Sequence, residues 1–143
     1  MDFDNKMYFC IDSKSENEAF SRVAVAAFIS GLDPLISELA DVKTAVSEAV
    51  TNSVIHGYED SIGEIKVFCG IKGRAVYIEV SDKGSGIENI EQAREPMFTT
   101  KPHLERSGMG FTVMETFMDK VEVESRPGEG TKIKMEKILK PKQ

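Results

Sequence analysis

The chain has 143 residues, of which 41% are hydrophobic and 29% are charged, and its formal net charge is −6. This length fits a single domain, residues 1–143, that can bury enough surface to fold without a disulfide or a metal. The negative charge argues against a general electrostatic interaction with nucleic acid, which requires clustered Lys and Arg.

The first predicted elements are a strand and a helix. Hydrophobicity alternates over Met7–Asp12, which predicts a strand with its apolar side chains on one face. Ser13 or Ser15 can cap the following helix, and Gly31 is expected to end it in a left-handed conformation. The apolar stripe predicted for this helix consists of Phe20, Val23, Ala24, Ala27 and Phe28.

A second, longer helix is predicted to follow Asp33-Pro34. Asp33 is a good N-cap residue and Pro34 suits the first helical position. Gly57 is expected to stop this helix after about 22 residues. Its predicted core stripe consists of Leu35, Leu39, Val42, Val46, Ala49 and Val50.

The middle of the chain predicts a β-hairpin. Apolar residues alternate on both sides of the turn at 72–74, and the second strand leads directly into Ser81 and Asp82. A short helix is predicted over 88–95, and residues 97–107 show no periodicity, which predicts a mobile loop.

The last third predicts a helix and two strands. The helix begins at Gly108 or Gly110 and runs to about Met118. Strands around 121–123 and 133–135 flank a turn, and residues 137–143 are expected to form a frayed tail. This order of elements predicts an α+β two-layer sandwich, in which helices cover one face of a mixed, mostly antiparallel sheet.

The two cysteines and the N-terminus indicate the cellular setting. Cys10 and Cys69 lie in apolar strand-like stretches without the CxxC spacing of metal sites, so we expect both to be reduced core residues. The N-terminus has no basic region followed by a long apolar run, and no stretch approaches the roughly 20 apolar residues of a membrane span. We therefore expect a cytoplasmic protein without a membrane segment.

Two motifs carry acidic or amide side chains suited to a ligand. Glu48 and Asn52 are four residues apart and share one helix face, and an amide oxygen suits Mg²⁺. Asp82, at the end of a strand, can accept a hydrogen bond from the amino group of a base. Gly84 and Gly86 allow the backbone to approach a ligand closely. Alone, each pattern also fits a solvated helix face or an ordinary turn.

Two further motifs suit phosphate and base recognition. Free N–H groups at a helix start form an anion site, and the hydroxyl of Thr131, which follows Gly130, can reach a base edge through water. A hairpin exit would look the same. The candidate phosphate-binding residues are Thr99, Thr100, Lys101, Arg106, Ser107, Gly108, Met109 and Gly110.

In this order, the four motifs resemble the asparagine box, the two glycine boxes and the terminal threonine of the GHKL (Bergerat) ATP-binding superfamily. Residues 47–58 and 97–114 resemble the anti-sigma F factor family, serine kinases of spore-forming bacteria. The resemblance extends over essentially the whole chain. A P-loop is not supported, because the chain has no Walker sequence.

The resemblance implies a site between the second helix and the loop at 97–107. It implies ATP and Mg²⁺ as cofactors, with Asn52 on the metal, Glu48 as general base and Asp82 on the adenine amino group. It implies two partners, the sporulation sigma factor F, which is held inactive, and an anti-anti-sigma factor, which is phosphorylated on serine. It also implies a homodimer formed through the first helix, where Arg22 is the candidate sigma contact.

Two other functions remain open. In the first, ATP only sets the conformation of a protein-interaction module, and no phosphate is transferred. In the second, the chain is a detached catalytic domain of a histidine kinase. Neither His56 nor His103 lies on an upstream dimerisation helix, so we expect both to be structural or solvated rather than phosphorylated.

Overall fold

The computed structural model describes residues 2–58, 61–87, 90–95 and 110–142. The described helices are α1 (Glu16–Ile29), α2 (Ile36–Asn52), α3 (Ile90–Ala93) and α4 (Gly110–Phe117). The described strands are β1 (Asn5–Asp12), β2 (Glu64–Lys72), β3 (Ala75–Asp82), β4 (Lys120–Arg126) and β5 (Gly130–Ile138). No helix in these ranges is long and apolar enough to cross a membrane.

The strands form one sheet in the order β1-β2-β3-β5-β4. Every pairing among these strands is antiparallel, so the predicted antiparallel character is confirmed. The register sets Asp82 of β3 opposite Thr131 of β5, and Thr131 opposite Ser125 of β4. Three polar residues therefore form a row across neighbouring strands at one end of the sheet.

The core lies between the helices and one face of the sheet. Side chains alternate along each strand, so the buried apolar side chains of β2, β3 and β5 point to the helical layer. Helix α2 is central and packs against both α1 and α4. The fully buried side chains of this core include Val42, Val46, Val50, Ile65, Val67, Ile78, Met114 and Ile133.

The apolar stripe predicted for α1 is wrong at Phe20, Val23 and Ala27, although Phe28 does pack against the core. The buried residues are Ser21, Val25, Ala26 and Ile29, whereas Phe20 and Val23 of the predicted stripe are 55% and 57% exposed. Residues 23–29 are apolar nearly all around the helix, so periodicity alone cannot select the face that meets the sheet. Helix α1 therefore presents a second apolar face, named here the outer α1 face: Phe20, Val23 and Ala27.

The predicted connection between α1 and α2 is also corrected. Gly31 lies in a 3₁₀ turn, Ser30–Leu32, and the left-handed residue is Asp33, with φ of 52°. Pro34 disfavours a right-handed helical conformation at Asp33, and Asp tolerates the left-handed one. Asp33 is therefore not the N-cap of α2, which begins two residues after Pro34.

The start of α2 is held by its own first turn. The N-cap is Leu35, whose N–H donates to the Glu38 carboxylate over 2.9 Å. Leu35 is exposed, in contrast to its predicted place in the core stripe. The end of the helical run at Gly57 is confirmed, although its last turn, Ser53–Gly57, is a π-helix.

The predicted frayed tail is ordered through residue 140. Leu139 is buried and its N–H donates to the Arg74 carbonyl. The Lys140 N–H donates to Glu38 Oε2 over 2.8 Å, and its carbonyl accepts from Arg74 Nη2. Arg74 also donates to the Leu32 carbonyl. We call this set of contacts the Glu38–Arg74 clamp.

The two cysteines differ in environment, although both are free. Cys69 is buried as predicted, and burial raises the pKa of its thiol to about 12. Cys10 lies on the opposite face of the sheet and is exposed, so its predicted place in the core is wrong. An edge strand covered on one face only leaves every second residue in solvent, whatever its hydrophobicity.

Candidate active site

The last turn of the α2 region joins the helix to the end of the sheet. Glu48 and Asn52 lie on the final turns of α2, both half-buried. The π-helical turn begins at the next residue, Ser53, whose hydroxyl donates to Asp82 Oδ2 over 2.7 Å in a buried setting. Single π-turns within helical segments are frequent at functional sites. This bond brings the end of α2 next to the end of β3.

The carboxylate of Asp82 is 6% exposed and oriented by two donors. Ser53 binds Oδ2, and the Gly84 N–H donates to Oδ1 over 2.9 Å. Because a carboxylate offers about four lone-pair positions, these two bonds leave acceptor capacity for a ligand. Asp82 is therefore a fixed acceptor at the end of β3.

Glycine is required in the loop after Asp82 because backbone segments meet there. A Cβ at Gly84 would lie 1.8 Å from the Gly57 carbonyl oxygen, and the Ser85 N–H donates to the same oxygen over 2.7 Å. Gly86, with φ of +76°, would place a Cβ 2.0 Å from the Arg126 carbonyl oxygen. The predicted close approach is real, but its partners here are the chain's own backbone.

A polar network runs from this loop to β5 through a residue not predicted from the sequence. Ser125 Oγ accepts a hydrogen bond from the Ile87 N–H over 2.7 Å and lies 2.8 Å from Thr131 Oγ1. It also donates to the Gly130 carbonyl over 2.9 Å. A lone serine in a strand has no sequence signal. Only the register, which sets it opposite Thr131, could have identified it.

An open cleft of about 510 Å³ lies at this end of the sheet. Its lining includes the polar row of Asp82, Thr131 and Ser125. The remaining lining residues are Ser81, Ile90, Glu124, Arg126, Glu129, Gly130 and Lys132. The lining therefore mixes acidic, basic and hydroxyl side chains.

Glu48 lies on a different side of the site, against the start of α4. A Cβ at Gly110, the first residue of α4, would lie 3.3 Å from Glu48 Oε2. Gly110 is the first described residue of this helix, so the predicted start at Gly108 or Gly110 stays a prediction. The Glu48 carboxylate thus lies next to the N-terminal part of the described helix, and negative charge is favoured towards that end of a helix.

Arg22 lies outside this cluster, on α1. Its guanidinium binds both carboxylate oxygens of Glu18, at 2.7 and 2.8 Å. The ion pair is half-exposed, next to Val23 on the outer α1 face. The predicted phosphate-binding residues Thr99, Thr100, Lys101, Arg106, Ser107, Gly108 and Met109, and also His103, lie outside the described residues.

Comparison with known proteins gives matches over most of the chain. The family model of the histidine kinase-like ATPase domain matches residues 14–137. An anti-sigma F factor of Clostridium kluyveri is 60% identical over 137 residues, covering 96% of each chain. Another, from Clostridium beijerinckii, is 62% identical over 135 residues, covering 94% of each chain.

A solved structure shares the fold. It contains the RsbU and RsbW domains of a Mycobacterium tuberculosis protein and superimposes with a TM-score of 0.70 at 21% identity. The match covers 97% of this chain and 34% of that one. The ATPase-domain match and the identity to the Clostridium proteins lead to one conclusion: the chain belongs to the anti-sigma F factor family and has a histidine kinase-like ATPase domain.

Proposed function

We propose that this protein binds and inhibits sigma factor F and, as an ATP-dependent serine kinase, phosphorylates its anti-anti-sigma factor. The observation that carries this proposal is the buried bond between Ser53 and Asp82, which joins the helix bearing Glu48 and Asn52 to the base-binding end of the sheet. We propose that residues 1–143 act as one domain. Because the partner is a transcription factor, we also propose a cytoplasmic site of action.

The acceptors at the sheet end fit the adenine base. Asp82 has spare lone pairs and Thr131 lies directly opposite it in the register. An exocyclic amino group supplies N–H donors that match such acceptors. Gly84 and Gly86 keep the adjoining loop folded against Gly57 and Arg126, which fixes one wall of the site.

Asn52 and Glu48 fit the reacting end of the nucleotide. No group of three or more His, Cys, Asp or Glu side chains in the described ranges is placed to hold a metal. A magnesium ion held by nucleotide phosphates needs few protein ligands, and the Asn52 amide oxygen suits that role. When bound, the metal supplies charge neutralisation. Glu48 would accept the proton of the substrate serine.

The remaining phosphate contacts are proposed from the motifs. Gly110 begins α4, and N–H groups at the start of a helix bind anions. Thr99, Thr100, Lys101, Arg106, Ser107, Gly108 and Met109 precede it in the chain. We propose that they contact the phosphates. ATP and ADP would then interact differently with this segment. A ligand shifts a conformational equilibrium only when it binds the two states with different affinity. We therefore expect the ATP-bound protein to bind the sigma factor more tightly than the ADP-bound protein does.

The outer α1 face supports a homodimer and a sigma-binding surface. Phe20 and Val23 expose apolar area that a second copy can bury. Arg22, next to them, forms a half-exposed ion pair with Glu18, and such i,i+4 pairs contribute only about 0.3–0.5 kcal/mol to stability. A carboxylate of the sigma factor can therefore replace Glu18 at little cost.

The test is phosphotransfer from γ-labelled ATP to the anti-anti-sigma factor of the same organism. The proposal predicts acid-stable label on serine, which requires magnesium and is lost in Asn52→Ala. Acid-labile label on histidine would identify a histidine kinase domain. Binding of ATP without any transfer would indicate an ATP-gated interaction module instead.

The sigma contact is tested separately with two matched variants. Arg22→Ala should weaken sigma binding while ATP binding stays unchanged. Glu18→Gln removes the same ion pair but retains the guanidinium, so it should bind the sigma factor at least as well as the parent protein. Equal sigma binding by Arg22→Ala and the parent would move the contact away from α1.

A further inference from the structure

Ser125 is the centre of the polar network beside the base-binding residues. It lies on β4, in the same row as Thr131 and Asp82, so the three side chains follow one another across β4, β5 and β3. Its hydroxyl contacts three groups, the Ile87 N–H, the Gly130 carbonyl and the Thr131 hydroxyl. All three lie within 2.9 Å of Ser125 Oγ.

The number of protons fixes the direction of these bonds. A hydroxyl has one proton to donate and two lone pairs that accept. The Gly130 carbonyl can only accept, so the Ser125 proton goes to that oxygen. Ile87 donates to one lone pair of Ser125, and the second remains for Thr131. Thr131 must therefore donate its own proton to Ser125.

We infer that Ser125 is a specificity-determining residue that makes Thr131 an acceptor-only group toward the nucleotide base. With its proton bound to Ser125, Thr131 has only lone pairs left for a further partner, and the carboxylate of Asp82, opposite it in the register, likewise only accepts. Two adjacent acceptors favour a 6-amino purine, whose amino group donates, over a 6-oxo purine, which presents an acceptor. This inference rests on the proposed binding of ATP at this site.

The role of Ser125 is indirect, so the informative quantity is a ratio of affinities. Loss of its hydroxyl also leaves the Ile87 N–H and the Gly130 carbonyl without this partner, which disturbs the loop and weakens every nucleotide. A purely structural role would lower ATP and ITP affinity equally. A role in fixing the Thr131 proton changes the preference between them, because a released Thr131 can rotate and donate to a 6-oxo group.

The experiment measures magnesium-dependent binding of ATP and ITP by calorimetry in the parent chain, Ser125→Ala and Ser125→Thr. The preference for ATP should fall about three- to tenfold in Ser125→Ala, the size expected for one neutral hydrogen bond. Ser125→Thr keeps the hydroxyl and suits a strand, so it should restore the parent ratio.

Thr131→Val provides the matched control. It removes the hydroxyl on which Ser125 acts, so adding Ser125→Ala to Thr131→Val should leave the ratio unchanged. If the ratio of ATP affinity to ITP affinity in Ser125→Ala equals that of the parent chain, the inference is overturned, but the proposed function is not. Failure of the parent chain to bind either nucleotide would overturn both the inference and the proposed function.

Discussion

Glu48 and Asn52 share a helix face but have different roles in the proposed mechanism, so their substitution should have different effects. Glu48→Gln keeps the shape and most hydrogen bonding of the side chain but cannot accept the serine proton. We expect ATP binding to persist and serine phosphorylation to fall about 10²–10⁴-fold. Single-turnover transfer measured at saturating ATP tests this. Transfer near the parent rate would exclude Glu48 as the base.

Gly86 and Gly128 allow the effect of a close contact with the backbone to be measured separately from the effect of a strained φ angle. Both have positive φ, at +76° and +78°, but a Cβ at Gly128 meets no atom within 4 Å, whereas one at Gly86 lies 2.0 Å from the Arg126 oxygen. Gly128→Ala should therefore cost about 1–3 kcal/mol of unfolding free energy, from strain alone. Gly86→Ala should cost more and also weaken ATP binding. Equal losses in urea unfolding would contradict this.

Among the contacts between secondary-structure elements, the Glu38–Arg74 clamp connects three distant parts of the chain. It joins the start of α2, the β2–β3 turn and the residues after β5. Burial raises the pKa of Glu38, but the Lys140 and Leu35 N–H groups and the positive charges of Lys137 and Arg74 outweigh it. The pKa therefore lies below its ordinary value of 4.5.

The lowered pKa of Glu38 predicts a pH-dependent contribution to stability. Because the folded state favours the ionised form, the stabilisation is complete above pH 4.5 and is lost as pH falls through the lowered pKa. Glu38→Gln should cost about 1–3 kcal/mol at pH 7, and the deficit should shrink in acid. Urea unfolding at pH 7 and pH 3 tests this, with the exposed Glu16→Gln as control. A deficit that does not depend on pH would contradict the prediction.

These elements show what sequence patterns can and cannot predict. The hairpin and the end of the helical run at Gly57 were predictable, because turn residues and period-2 alternation act locally. The buried face of α1 was not, because its apolar residues surround the helix. Ser125 was not predictable either, since its role arises from a register between strands.

For the assembled protein, the outer α1 face predicts the oligomeric state. In a two-fold symmetric dimer, Val23→Ser removes apolar burial from both copies. A loss of about 1–2 kcal/mol per copy, or about 2–4 kcal/mol per dimer, should raise the dissociation constant about 30-fold or more. Sedimentation tests this, with Ile62→Ser as control because Ile62 is similarly exposed, at 62%, but is not part of α1. Equal dimerisation of Val23→Ser and the parent chain would exclude this face as the interface.

The π-helical turn at Ser53–Gly57 makes the number of residues between Asn52 and Gly57 matter as well as the identity of Ser53. A residue added to or removed from a helix rotates everything beyond it by about 100°. Deleting one residue here would turn Gly57 away from Ser85 and Ser53 away from Asp82, even if every remaining side chain were suitable. An in-frame loss of one codon in this turn would therefore disrupt both contacts at once, whereas a single substitution removes at most one of them.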